Sequence, residues 1–250
     1  FTDDQRPYNH RPRMGTPEQW QRYRAYVKAQ LTELLTQYGK IDLLWFDGDW
    51  ERTEAEWESA DIVSHVRALQ PDIVLNNRLA GHGDYVTPEQ YIPAVAPEGA
   101  WECGVTMNRT WGYVPTDTAF KTPYELVRTL IQVRAGGGNM LLNIGPTGTG
   151  AIAPAEMERL EAIGSWLDTF GESVLGTERG LEPWRFFGPT TVRGDTIYWI
   201  GPAGDAREGG EGTDFHAVSH DAVSVTPLQV DLTDHATLPA WRAWMGNPAA

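Results

Sequence analysis

The sequence predicts an α/β fold, a parallel sheet with helices outside it, followed by a short β-rich region. Three observations carry this. Between residues 17 and 177, helix-period and strand-length apolar segments alternate with tight connections. That pattern belongs to parallel strands joined by crossover helices. Polar residues gather directly after the apolar strands, at the carboxyl ends where such sheets place their sites. Beyond Gly180 the texture changes to short β-type runs divided by turns. The expected division is therefore residues 1–180 and residues 181–250.

Each element has a local reason. Residues 1–16 are polar, with Pro7, Pro12, Arg6, His10, Arg11 and Arg13, and read as an extended arm. Thr16-Pro17-Glu18-Gln19 opens a helix as N-cap, N1 proline and capping-box partner. Trp20, Tyr23, Val27, Leu31, Leu34, Leu35 and Tyr38 keep helical spacing until Gly39 stops it. An apolar strand, Ile41 to Phe46, follows and ends in Asp47-Gly48-Asp49-Trp50-Glu51. Residues 54–69 form a second helix with Trp57, Ile62, Val66 and Leu69 on one face. Ile73-Val74-Leu75 is a strand ending in Asn76-Asn77-Arg78, and a long loop runs from Leu79 to Gly99.

Ala100 to Met107 reads as a third strand, leading to the aromatic loop Trp111-Gly112-Tyr113. Thr122-Pro123-Tyr124-Glu125 repeats the capping pattern and starts a helix to Gly136. Asn139 to Ile144 is a strand, Ala153-Pro154-Ala155-Glu156 starts another helix, and Gly171 ends it. Glu172 to Thr177 is read as a fifth strand. Trp184 to Phe187, Thr190 to Val192 and Thr196 to Ile200 are further strands, with turns at Gly188-Pro189 and Arg193-Gly194-Asp195. Gly201 to Gly212 is rich in glycine and acid and reads as mobile, and weak strand signals recur at 223–225 and 228–230.

Composition narrows the function. A net charge of −14 argues against nucleic acid or an anionic membrane as partner, since both need a basic surface. A neutral carbohydrate is compatible. The 11 tryptophans supply ring faces that stack on sugars, although core packing accounts for most. Cys103 is the lone cysteine, which excludes an intramolecular disulfide and a cysteine-based metal site. No apolar run reaches transmembrane length and no signal-peptide pattern opens the chain. The chain starts at Phe1 rather than Met, so upstream processing and compartment stay open.

Four clusters carry chemistry: Asp47/Asp49/Glu51, Asn76-Asn77-Arg78, Glu89 in Thr87-Pro88-Glu89, and Trp101-Glu102. Two carboxylates flanking a sugar hydrolyse a glycosidic bond, one at the anomeric carbon and one donating a proton to the leaving oxygen. Asp47 suits the first role, being short and set on a strand end. Glu89 or Glu102 suits the second, each beside aromatic residues of the kind that favour a protonated carboxyl. The structural alternatives are an Asx turn for Asp47 and Asp49, a helix-start carboxylate for Glu89, and a core ion pair for Glu102. Gly145 to Gly150 lacks the Gly-Lys-Ser/Thr ending of a phosphate loop. Asp47, Asp49 and His82 match no zinc or EF-hand spacing.

Several of these stretches together resemble one family. They are Leu34-Leu35 through Tyr38-Gly39 with Ile41 to Gly48, Val74 to Arg78, Trp101-Glu102 with Thr106-Met107 to Tyr113, and Gly137-Gly138-Asn139 to Pro146. Across residues 5–200, in this order, they resemble the α-L-fucosidases of glycoside hydrolase family 29. The resemblance implies retaining hydrolysis of terminal α-L-fucose, with Asp47 as nucleophile. It implies Glu89 as acid/base, with Glu102 as second candidate or pocket residue. Arg78, Trp45, Trp101, Trp111 and Tyr113 are the implied sugar contacts, with no metal or organic cofactor. The family carries a (β/α)8 barrel with its nucleophile after the fourth strand, then a β-sandwich. Here Asp47 follows the first strand, and five barrel strands are countable. The resemblance therefore implies a partial (β/α) barrel with a reduced C-terminal β-rich region. Its open side is expected to be covered by further copies of the chain in a homo-oligomer.

Overall fold

In a computed structural model of the chain, residues 15–182, 188–201 and 224–229 are described. The chain divides into two compact units, one of Phe1–Pro93 with Pro97–Gly104, the other of Ala94–Ala96 with Val105–Ala250. Most of the expected arm, the expected strand at 184–187 and nearly all of the segment 201–212 lie outside the described residues. No described helix is long and apolar enough to cross a membrane.

The first unit opens with α1, Pro17–Gln37. Its capping box forms as the sequence predicts: Gln19 N donates to Thr16 Oγ1 at 3.3 Å and Thr16 N donates to Gln19 Oε1 at 2.7 Å. The expected single helix over 54–69 is two helices, α2 (Glu54–Trp57) and α3 (Ser59–Leu69). The buried Trp57 explains the break. Its indole donates to Asp49 O at 2.9 Å and its ring sits edge-on to Trp20 at 4.8 Å. Glu58 then turns the chain in the left-handed region, at φ 53°. Leu31 and Leu35 of α1 pack with Ile62 and Val66 of α3 over Ile73 and Leu75.

The two strands under this core are short. β1 (Leu43–Leu44) pairs in parallel with β2 (Val74–Leu75), Leu43 opposite Val74 and Leu44 opposite Leu75. Side-chain bonds extend the pairing at both ends. Gln70 Nε2 donates to Leu35 O and Gly39 O, at 2.8 and 2.9 Å, and Ile41 N donates to Gln70 Oε1 at 2.8 Å. That glutamine staples the end of α1 to the entry of β1. At the other end, the fully buried Asn76 accepts from Phe46 N and donates to Phe46 O, both at 2.8 Å.

The expected loop from Leu79 to Gly99 contains a strand-like segment. Asn76 bridges Tyr85, Val86 bridges Trp101, and Glu89 bridges Gly104, all in parallel. Backbone bonds between residues 86–90 and 100–104 run from 2.8 to 3.3 Å. Residues 85–90 therefore lie between β2 and β3 (Glu102–Thr106). Turn residues and Pro88 hide this extended stretch from a reading by period. Asp84 holds its start: Leu75 N donates to Asp84 Oδ2 at 2.8 Å and Arg67 donates to Oδ1 at 2.5 Å. Burial raises the Asp84 pKa, but those two bonds outweigh it and leave the pKa lowered.

The continuous part of the second unit runs from Val105, and its β4 (Asn139–Asn143) pairs with β3. Helices α4 (Pro123–Ala135) and α5 (Pro154–Phe170) bury Leu126, Val127, Ile131 and Ile163 in a core shared with Met107 and Val174. Thr122 and Glu125 cap α4 reciprocally, as the sequence predicts. The expected fifth strand at 172–177 is not one. Gly171–Ser173 is a 3₁₀ turn, and Val174 turns into the core. Arg134 holds this turn, donating to Val174 O at 3.2 Å, to Thr177 O, and to Gly138 O at 2.6 Å. β5 (Glu178–Arg179), β6 (Thr190–Arg193), β7 (Thr196–Gly201) and β8 (Ser224–Gln229) form an antiparallel sheet in that order. The sheet is the predicted β-rich tail. Gly194, at φ 57°, closes the β6–β7 turn.

Two substitutions test how the first unit is held. A Cβ on Gly83 would lie 2.5 Å from the Asn76 carbonyl and 2.6 Å from Asn77 Cα. Gly83→Ala is expected to destabilise by about 1–3 kcal/mol, read as a lowered urea midpoint. An unchanged midpoint would contradict that close approach. Asn76→Ala leaves Phe46 N and O without their partner and is expected to cost about 2–4 kcal/mol in the same assay. A loss below about 0.5 kcal/mol would show that water replaces the amide freely.

Candidate active site

Alternation along the strands decides what faces what. Successive side chains point to opposite faces. Leu44, Phe46, Ile73 and Leu75 pack on the core beneath α1 and α3. Leu43, Trp45 and Asp47 take the other parity, as do Val74, Asn76 and Arg78. Because Asn76 is in register with Tyr85, residues Tyr85, Thr87 and Glu89 share that face. Trp45 Nε1 donates to Glu102 Oε1 at 3.0 Å, which brings Glu102 to it as well.

Arg78 is the hub of this face. Its Nη1 donates to Asp47 Oδ1 at 3.1 Å, and its Nη2 donates to Glu89 Oε2. Its Nε donates to Thr87 Oγ1 at 2.9 Å and its guanidinium lies 4.7 Å from the centre of the Trp45 ring. Burial opposes the charge of Arg78, but its hydrogen bonds to Glu89 and then Asp47 outweigh it and raise its pKa. Asn77 orients the hub from behind, Oδ1 accepting from Thr87 N at 3.1 Å and Thr87 Oγ1 at 3.0 Å. Gln90, just after Glu89, has φ 63°, a left-handed conformation that is sparsely populated for a non-glycine residue.

The chain after Asp47 is held as firmly. Gly48 turns at φ 90°, which favours glycine, into a 3₁₀ turn at Asp49–Glu51. Asp49 Oδ2 accepts from Ala80 N at 2.6 Å. Asp49 is thus the turn residue of the pair, while Asp47 is half-exposed and meets Arg78. His82 bonds Glu54 at 2.6 Å, so Asp47, Asp49 and His82 take separate partners. Among the described residues, no group of three or more His, Cys, Asp and Glu side chains is placed to hold a metal.

Of the expected aromatic contacts, Trp45 lies under Arg78, while Trp101 is only 2% exposed and offers no open ring face. Trp111 and Tyr113 belong to the second unit and are both exposed. Their loop is held by Asn143 Nδ2, which donates to Trp111 O at 2.8 Å. Gly145 also packs against it, where a Cβ would approach Gly112 and Tyr113 backbone to 3.0 Å. Gly145 N itself donates to the buried Glu156 Oε1 at 2.7 Å. A carboxylate of the chain thus occupies the place an anion would take on this glycine loop. Beside Glu102, burial raises the pKa of the Cys103 thiol, and its Sγ lies 3.4 Å from Tyr91 O.

Sequence reasoning placed Asn77 and Thr87 within its candidate clusters without a role for either, and gave no place on this face to Tyr85. For Thr87 and Tyr85 the signal is parity along residues 85–89, which becomes readable once that segment is known to be extended.

Comparison with known proteins gives the family of the chain. The family model for alpha-L-fucosidase matches residues 2–172. Tissue alpha-L-fucosidase of Mus musculus is 33% identical over 188 residues, covering 70% of this chain and 40% of the relative. Alpha-L-fucosidase isoenzyme 1 from Paenibacillus thiaminolyticus superposes with a TM-score of 0.69 at 32% identity, over 79% of this chain and 50% of that one. A family 29 alpha-L-fucosidase from Bacteroides thetaiotaomicron, solved as a trapped covalent intermediate in complex with 2-fluoro-fucosyl fluoride, superposes at 0.64 with 26% identity. That match covers 72% of this chain and 47% of that one. The chain thus spans half or less of the length of these relatives. Matched over more than half of its residues by the family model, the chain belongs to the alpha-L-fucosidase family.

Proposed function

We propose that the chain acts as a retaining exo-α-L-fucosidase, removing terminal α-L-fucose from glycans or glycosides. One observation carries this reading: a single guanidinium, Arg78, bonds both Asp47 and Glu89. Two carboxyl groups held by one guanidinium stand on the same face, as the paired carboxyls of double displacement must. The covalent intermediate of the Bacteroides thetaiotaomicron relative supports the same chemistry.

In this mechanism a carboxylate oxygen of Asp47 attacks the anomeric carbon, and the bond to the leaving oxygen breaks as Glu89 gives that oxygen its proton. The ionised Glu89 then takes a proton from water, whose oxygen displaces Asp47 and frees fucose. Arg78 turns to the sugar when it enters, releasing Glu89 from an ion pair that favours its charged form. Trp45 supplies an apolar face beside the reacting centre. A second reading assigns the proton to Glu102, and a specific observation favours it. Glu102 accepts from a neutral indole rather than from a guanidinium.

The partial barrel is part of the proposal, with residues 1–180 as the catalytic portion and 181–250 as the reduced β-rich region. Leu43 and Val74, paired across β1 and β2 on the site face, are 46% and 39% exposed. Neighbouring apolar side chains on an uncovered sheet face favour association. A homo-oligomer in which another copy covers this face satisfies them.

Hydrolysis of an aryl α-L-fucoside tests the chemistry. Asp47→Ala is expected to lose roughly 10³-fold or more in kcat/KM and to regain part of it with azide. Glu89→Ala is expected to suffer most on poor leaving groups. If Glu102→Ala suffers more there, the acid is Glu102. Wild-type protein without turnover sinks the enzymatic reading in favour of a carbohydrate-binding one. Light scattering is expected to show an oligomer, and a monomer with full activity would overturn the covered face.

A further inference from the structure

Three polar-tipped residues line the inner face beneath Arg78: Asn76, Trp45 and Tyr85. Asn76 is spent on the Phe46 backbone and Trp45 on Glu102. Tyr85 differs. It is 7% exposed, and its hydroxyl meets no hydrogen-bonding group among the described residues. A buried hydroxyl in that condition destabilises the fold. Phenylalanine would fill the same volume without that cost.

The position of Tyr85 supplies a reason for the hydroxyl. Register with Asn76 sets its ring on the site face. Glu102 N donates to Val86 O at 2.9 Å, so the strand bearing Glu102 runs alongside. Glu102 uses Oε1 on Trp45. Burial first, and the charge of Glu102 second, push the Tyr85 hydroxyl up to about 12, with Arg78 opposing. Tyr85 thus feels both groups without touching either. Asp47 and Glu89, the other charges on this face, are engaged by Arg78. A phenol, a carboxylate and a nearby guanidinium are the polar partners a buried water needs.

We propose that Tyr85 is a positioning residue, its hydroxyl donating through one bound water to Glu102 and so fixing that carboxylate within the site. The inference rests on reading this cluster as the active site, but its test needs no turnover, so the two fail separately. In ¹⁵N-labelled protein, the Trp45 indole N–H resonance, assigned by its loss in Trp45→Phe, reports the ionisation of Glu102 as pH is varied. A donor to a carboxylate favours its charged form.

Tyr85→Phe is therefore expected to raise the midpoint of that titration by about half a unit or more, with Tm unchanged or higher. A midpoint within about 0.2 unit of the wild type overturns the proposal, because the hydroxyl then does not reach Glu102. A Tm lowered by more than about 4 °C overturns it too, since the hydroxyl would then be a structural bond. A wild-type Trp45 resonance that does not titrate removes the link to Glu102 and overturns it as well.

Discussion

Everything at the site depends on two parallel strands ending level with each other. Asn76 secures this by bonding both backbone groups of Phe46, fully out of water. Asp47 follows Phe46 by one residue, and Arg78 follows Asn76 by two. The amide therefore sets where the carboxylate and the guanidinium leave their strands. A ladder two residues long does not fix this alone. Gln70 at one end and Asn76 at the other make the register unambiguous, and a one-residue slip would send every site side chain to the helix face.

Electrostatics then follow from placement. Arg78 gathers Asp47, Glu89 and Thr87 and lies on Trp45, so one cation organises most of the polar face. Glu102 stands apart on a neutral donor. Two acids in contrasting surroundings are the usual basis for dividing labour between carboxyl groups.

Local features were legible in the sequence. The Thr-Pro-x-Gln and Thr-Pro-x-Glu caps of α1 and α4 act within four residues, and both formed as read. Polar residues at strand ends also fell where the alternation of elements placed them. Tertiary features were not legible. The break at Glu58 answers to the seat of Trp57 against Trp20, which no helical period contains. The segment 172–177 has strand-like composition, yet Val174 and Arg134 draw it into a turn. Residues 85–90 look like a loop because their pairing partners lie on two other segments. Trp101 adjoins an acid in sequence, but its ring is buried.

The brevity of β1 and β2 has a consequence for how the chain assembles. α1 is closed by bonds between near neighbours, from its capping box onward. The Asn76–Phe46, Arg78–Asp47 and Ala80–Asp49 bonds span 30 or 31 residues, so each closes a loop that contains α2 and α3. The face that carries Asp47 and Arg78 thus carries a larger loop-closure cost than the helix that precedes it.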